Sequence, residues 1–245
     1  MTALHTVKMD MNQTKRQARL AGLLYFLASV PAPFGLIYVP NKLIVLNDPT
    51  ATANHIRASE SLLRFGIGCE LLGSIIFIFV AVALYRLFKA VNETHALAMM
   101  ILILVSIPIS LLSVVNEIVA SIVVSGANFL SVFDTLQLNV LTYILMRLHG
   151  RAIVVAEIFW GLWLFPFGIL VIRSGFIPRF LGYLLFLAGL SYLATSVTFL
   201  LLPAYGDVVD KFASPLTVCE LPIIVWLLIW GAKDQRDRGP VLATA

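Results

Sequence analysis

Four acidic residues stand where a bilayer would bury them: Glu70, Glu117, Glu157 and Glu220 each lie inside a long apolar run. An ionised carboxylate in hydrocarbon is expensive, so such a residue normally faces a bundle interior where it has a partner or a task. Three of the four occupy a repeated position. Arg64 precedes Glu70 by six residues, Arg151 precedes Glu157 by six, and Ser214 stands at the matching place before Glu220. The dipeptides Cys69-Glu70 and Cys219-Glu220 strengthen this weak internal repeat. At about 1.5 Å per residue these three glutamates lie roughly 6 to 12 Å below the outer ends of their helices. Glu117, beside Asn116, lies about 10 Å below the outer end of its own. Four carboxylates at one level repel one another unless they are protonated, paired with Arg64 or Arg151, or neutralised by a bound cation. The expected site is an outward-facing carboxylate cluster for a cation, protons or a small polar ligand, built from Glu70, Glu117, Glu157, Glu220, Asn116, Arg64, Arg151 and His149.

His149 supplies the only credible histidine–carboxylate constellation, next to Arg151 and facing Glu157 and Glu117. His5, His55 and His95 lie outside or at the edges of the apolar runs, and neither HExxH nor a His-rich zinc pattern occurs. No P-loop, GxGxxG or CxxCH is present, so nucleotide hydrolysis and covalent haem lack support, and no cofactor or metal is assigned. Cys69 and Cys219 lie inside apolar runs and read as small core residues rather than a structural disulfide.

These side chains must be positioned by helices in lipid. Hydrophobic residues make up 60% of the 245 residues against 12% charged, and the mean hydropathy is +0.96, which marks a polytopic membrane protein with no room for a soluble domain. Six stretches qualify as spans, roughly 20–39, 62–85, 96–124, 152–172, 180–202 and 216–231. Runs this long satisfy their own backbone hydrogen bonds only as helices, so the fold class is all-α, with six transmembrane helices arranged as three hairpins. The domain is expected over 20–232, between an N-terminal tail, 1–19, and a C-terminal tail, 233–245.

Counting Lys and Arg sets the orientation. With the N-terminus cytoplasmic, that side holds 11 basic residues, including Lys8, Arg173, Arg179, Lys233, Arg236 and Arg238, against 6 outside. Both termini are therefore expected in the cytoplasm. The formal charge of +4 is accounted for by anchors at helix ends and needs no nucleic acid. The first apolar run continues past Tyr38 without a cleavage site and reads as a retained signal-anchor helix, bent by Pro31, Pro33 and Gly35.

Two outer connections carry structure of their own. Asp48 can cap a short helix over 50–60, with Pro49 at its first position. The segment 125–150 is too apolar for a solvated loop and reads as an amphipathic or re-entrant cap. Gly161, Gly168, Gly182 and Gly189 permit close helix approach, and Arg173 to Arg179 makes a tight cytoplasmic turn. Trp160 and Trp163 lie deeper than an interfacial belt.

The run from Glu157 through Trp160, Trp163 and Pro166 to Gly168, continuing through Arg173-Ser-Gly-Phe-Ile-Pro-Arg-Phe-Leu-Gly, resembles bacterial integral membrane proteins of the domain of unknown function 4386 family. Ala18-Arg-Leu-Ala-Gly-Leu-Leu-Tyr and Ala58-Ser-Glu-Ser-Leu-Leu-Arg share the likeness, which covers roughly 18–231. It implies bacterial origin, an inner-membrane location and multiple spans, and supplies no activity or catalytic residue. Three function classes stay open: a ligand- or ion-binding permease; an intramembrane enzyme using His149 and Glu157; and an accessory or structural subunit of a membrane complex. The partners expected are the lipid bilayer and, for a transporter this small, a second copy in a homodimer.

Overall fold

Apolar runs punctuated by caps, glycines and prolines become six spans in the computed structural model, which describes residues 11–232. His5, Lys8, Lys233, Arg236 and Arg238 lie outside the described residues, as does most of both tails. The helical segments long and apolar enough to cross a membrane are Asn12–Leu43, Glu60–Phe88, Glu93–Val124, Thr135–Ser174, Arg179–Leu201 and Pro203–Ile229. Among the described residues there is no strand.

The first span is broken where its prolines fall. Helix α1 (Met11–Ser29) gives way to a single turn, α2 (Pro31–Pro33), then to a π-helical turn over Phe34–Tyr38 and a last stretch, α3 (Val39–Leu43). Pro31 and Pro33 have no N–H for the carbonyls of Leu27 and Ser29, and the wide turn absorbs the mismatch. Helix α4 (Pro49–Ala58) is the expected short outer helix: Asp48 accepts the Ala51 N–H at 2.8 Å, with Pro49 in the first turn.

Helices α5 (Glu60–Phe88) and α6 (Glu93–Val124) follow, the second capped by Asn92, which accepts from the His95 N–H at 2.9 Å. Helix α7 (Thr135–Ser174) runs for 40 residues, about 60 Å, or twice the hydrocarbon thickness. The segment expected as an amphipathic or re-entrant cap is, from Thr135 onward, continuous with the fourth span: residues 135–150 are the first 16 of α7. A reciprocal capping box starts it, Gln137 N–H to Asp134 at 2.8 Å and Asp134 N–H to Gln137 at 3.0 Å. Its polar interruptions meet the α4 region: Arg57 donates to Asn139 at 2.6 Å, and the Tyr143 hydroxyl accepts from the Asn47 N–H at 3.1 Å. With those groups satisfied nothing favours a break. Gly175 ends α7 in the left-handed conformation, φ 73°, which costs a residue without Cβ little.

Helix α8 (Arg179–Leu201) is regular, but the sixth span is not the continuous helix expected. It comprises a 3-10 turn (Pro203–Tyr205), α9 (Gly206–Ala213), a 3-10 segment over Ser214–Glu220, and α10 (Leu221–Ile229). Pro215 and Pro222 deny donors to the α-helical ladder, and the Thr217 hydroxyl takes up the Ser214 carbonyl at 2.7 Å.

Consecutive spans pack side by side and α10 returns against α1, which closes a ring of six. Where α7 meets α8 the backbones touch through paired glycines. A Cβ on Gly161 would come 2.8 Å from the Gly189 carbonyl oxygen, and one on Gly168 would come 2.8 Å from that of Gly182. Two apolar cores fill the ring. The larger includes Tyr25, Val80, Ile107 and Trp163; the smaller includes Val39, Leu63, Ala120 and Met146. Along α5, α6 and α7 alike, a polar position stands between them.

Candidate functional site

Those polar positions are Glu70, Glu117 and His149, at 5%, 1% and 2% exposure. Each lies on the inward stripe of its helix, between a residue of the small core and residues of the large one: Leu63 and Val80 on α5, Ala120 and Ile107 on α6, Met146 and Trp163 on α7. The His149 Nε2 stands 3.7 Å from Oε1 of Glu70 and 3.7 Å from Oε1 of Glu117. Gly35 makes room for the group. A Cβ there would lie 2.5 Å from the Glu70 Cγ, so the π turn of the first span can lie against the carboxylate only because residue 35 has no side chain.

Glu70 is also part of the wall of a cavity of about 400 Å³, to which all six spans contribute. Glu157 and Glu220 line the same space. Glu157 accepts from the Ser196 hydroxyl at 3.5 Å, and Glu220 accepts from the Tyr25 hydroxyl, with Tyr192 alongside. Five aromatic side chains, Tyr25, Phe77, Trp160, Trp163 and Tyr192, share the lining. Tyr25, Phe77 and Trp163 form a mutual cluster with centroid separations of 5.6 to 5.9 Å. Among the described residues that line the space there is no lysine, arginine or histidine.

Both broken spans face this cavity. Ala32 and Pro33 reach it from the interruption in the first span, and Ser214, Thr217 and Glu220 reach it from the 3-10 segment of the sixth. Irregular backbone at membrane depth is tolerated where it is buried in protein or lines a polar cavity, and discontinuous helices at such places present backbone dipoles to bound ions.

The structure thus sorts the expected site residues into groups. Glu70, Glu157 and Glu220 converge on the cavity, while Glu70, Glu117 and His149 form a compact cluster behind its wall. His149 does not pair with Glu157: the two are eight residues apart on the single helix α7, about 12 Å along its axis. Arg64 and Arg151 stay outside. Arg64 forms an ion pair with Glu60 at 2.6 Å on the exposed face of α5, and the exposed Arg151 lies over the Phe199 ring at 5.6 Å. Asn116 turns to its own helix, donating to the carbonyls of Leu112 and Ser113 at 3.3 Å. Cys69 and Cys219 are free thiols. Sequence reasoning missed Tyr25 and Tyr192, because a tyrosine in an apolar run carries no periodic or charge signal; its partner Glu220 is far away along the chain.

Residues 20–231 match the family model of the domain of unknown function DUF4386. No curated protein and no solved structure matches the chain.

Proposed function

We propose that this chain, which belongs to the DUF4386 family, binds a small organic cation in its central cavity and serves as a permease or receptor for it. The lining carries the reading: three glutamates and five aromatic residues line one space of about 400 Å³, with no cationic side chain among the lining residues described. Carboxylates unpaired with protein cations attract a cationic guest, and the faces of Tyr, Trp and Phe add cation–π attraction to an ammonium group. A volume of this order suits a small molecule of several heavy atoms. Breaks in the first and sixth spans support movement of the guest, because a span already interrupted can rearrange on either side of the cavity with little loss of backbone hydrogen bonding. On the same reading the protein resides in the bacterial inner membrane with both termini cytoplasmic, supported by the 11 to 6 excess of basic residues on that side.

Thermal unfolding of the detergent-purified protein tests the binding. Choline and tetramethylammonium should raise the unfolding midpoint; a ligand at a hundred times its Kd adds about 2.7 kcal/mol to the folded state. The uncharged choline isostere 3,3-dimethyl-1-butanol should not. Glu157→Gln and Glu220→Gln keep the side-chain shape and lose the charge, and each should reduce the shift several-fold, whereas Arg64→Gln should leave it intact. Equal shifts from the charged and uncharged probes would sink the reading.

A further inference from the structure

The cluster behind the cavity wall has a spacing that hydrogen bonding does not account for. Its three donor atoms, one each from Glu70, Glu117 and His149, all lie within 4.8 Å of one another, and both nitrogen–oxygen separations are 3.7 Å. A shared proton would draw such a pair to about 2.6 to 3.0 Å. Two ligands of a tetrahedral ion, each about 2.0 to 2.2 Å from it, stand roughly 3.4 Å apart. The side chains are therefore near ligand spacing and beyond hydrogen-bonding distance.

Their acceptors are also unsatisfied. Glu70 Oε1 and both oxygens of Glu117 are buried without a hydrogen-bond partner, although Glu117 is only 1% exposed. Buried carboxylate oxygens ordinarily find donors, and three without any, on two side chains that converge on His149, call for a cation.

The geometry points to a resident first-row divalent metal ion held by Glu70, Glu117 and His149. Charge selects the valence: two carboxylates and a divalent ion make a neutral group, which low-dielectric surroundings favour, whereas a monovalent ion leaves one negative charge uncompensated. The imidazole selects the kind of ion. Calcium and magnesium prefer all-oxygen shells, while nitrogen with carboxylate suits zinc, iron(II) or manganese(II). Three protein ligands leave a fourth position open to water or a guest. Glu70 belongs to both the cluster and the cavity wall, so the cavity provides an entry path for the ion. The assignment does not rest on the cavity's taking an organic cation.

Metal analysis of the full-length protein, purified in detergent without an affinity histidine tag, tests the site. The purified protein, or chelator-stripped protein reloaded with Zn²⁺ and desalted, should hold one equivalent of metal per chain. Glu117→Gln and His149→Gln, neither of which lines the cavity, should each lose it while keeping the helical circular dichroism of the parent, and Glu157→Gln should retain it. Co²⁺ in place of Zn²⁺ should give visible ligand-field absorption that His149→Gln abolishes. If a cluster variant does not fold, the titration of the parent decides alone. Less than about a tenth of an equivalent after Zn²⁺, Mn²⁺ and Fe²⁺ have each been offered, or metal retained undiminished in both folded cluster variants, would overturn the assignment. Loss of metal with choline-induced stabilisation intact separates the two proposals.

Discussion

At the residue scale, one glutamate joins two sites. Glu70 contributes to the cavity wall and, through its carboxylate, to the cluster with Glu117 and His149. Its position depends on Gly35 of the first span, where a Cβ would come 2.5 Å from Cγ of Glu70 and 2.8 Å from the Gly66 carbonyl oxygen. Backbone on one side and a buried carboxylate on the other leave an added methyl nowhere to go. Gly35→Ala should therefore lower stability by about 1 to 3 kcal/mol, as overpacking does. It should also weaken Zn²⁺ binding, because the displaced atom adjoins the ligating oxygens. Unfolding in graded denaturant with and without Zn²⁺ checks both effects; a variant as stable and as metal-responsive as the parent would show that Glu70 is not held by this contact.

At the scale of the element, regular and irregular helices divide the work. Helices α7 and α8 give the frame, and their interface is close because glycines seven residues apart on each helix, Gly161 with Gly168 and Gly182 with Gly189, face one another. Gly168→Leu would drive a branched side chain into the Gly182 carbonyl oxygen and the Phe186 ring. We expect at least about 3 kcal/mol of destabilisation, at the upper end of the overpacking range, and a large loss of folded protein by fluorescence-detected gel filtration. Gly150→Leu, on the same helix at a place where a Cβ meets nothing within 4 Å, is the control and should behave like the parent. The interrupted first and sixth spans meet the cavity instead, placing Pro33 and Glu220 on its wall.

At the scale of the whole molecule, the six spans form a closed ring with Glu70, Glu157 and Glu220 on the wall of its central cavity. The proposed topology places both termini on the side with the basic-residue excess, the cytoplasm. A phosphatase reporter, active only outside, should be silent when fused after Ala245 or within the turn 175–178 and active when placed at Asp48. Activity at the C-terminus with silence at Asp48 would invert the orientation.

The amino-acid sequence by itself determined the number of spans, the all-helical class, the cap at Asp48, and the glycine contacts of α7 with α8. Each follows from a local rule, whether apolar length, a side chain that satisfies an orphan N–H, or a residue without Cβ. It also picked out the four glutamates, because their cost in lipid is local too. Which of them meet was decided by the tertiary structure. Helical phase and ring closure bring Glu70 to Glu117 and His149, bring Tyr25 of the first span to Glu220 of the sixth, and send Arg64 to Glu60 and Arg151 to Phe199. A sequence gives depth along each helix but not rotation about its axis or the order around the ring. Those two quantities, set by long-range packing, separate a cavity and a metal-spaced cluster from four glutamates at a similar level.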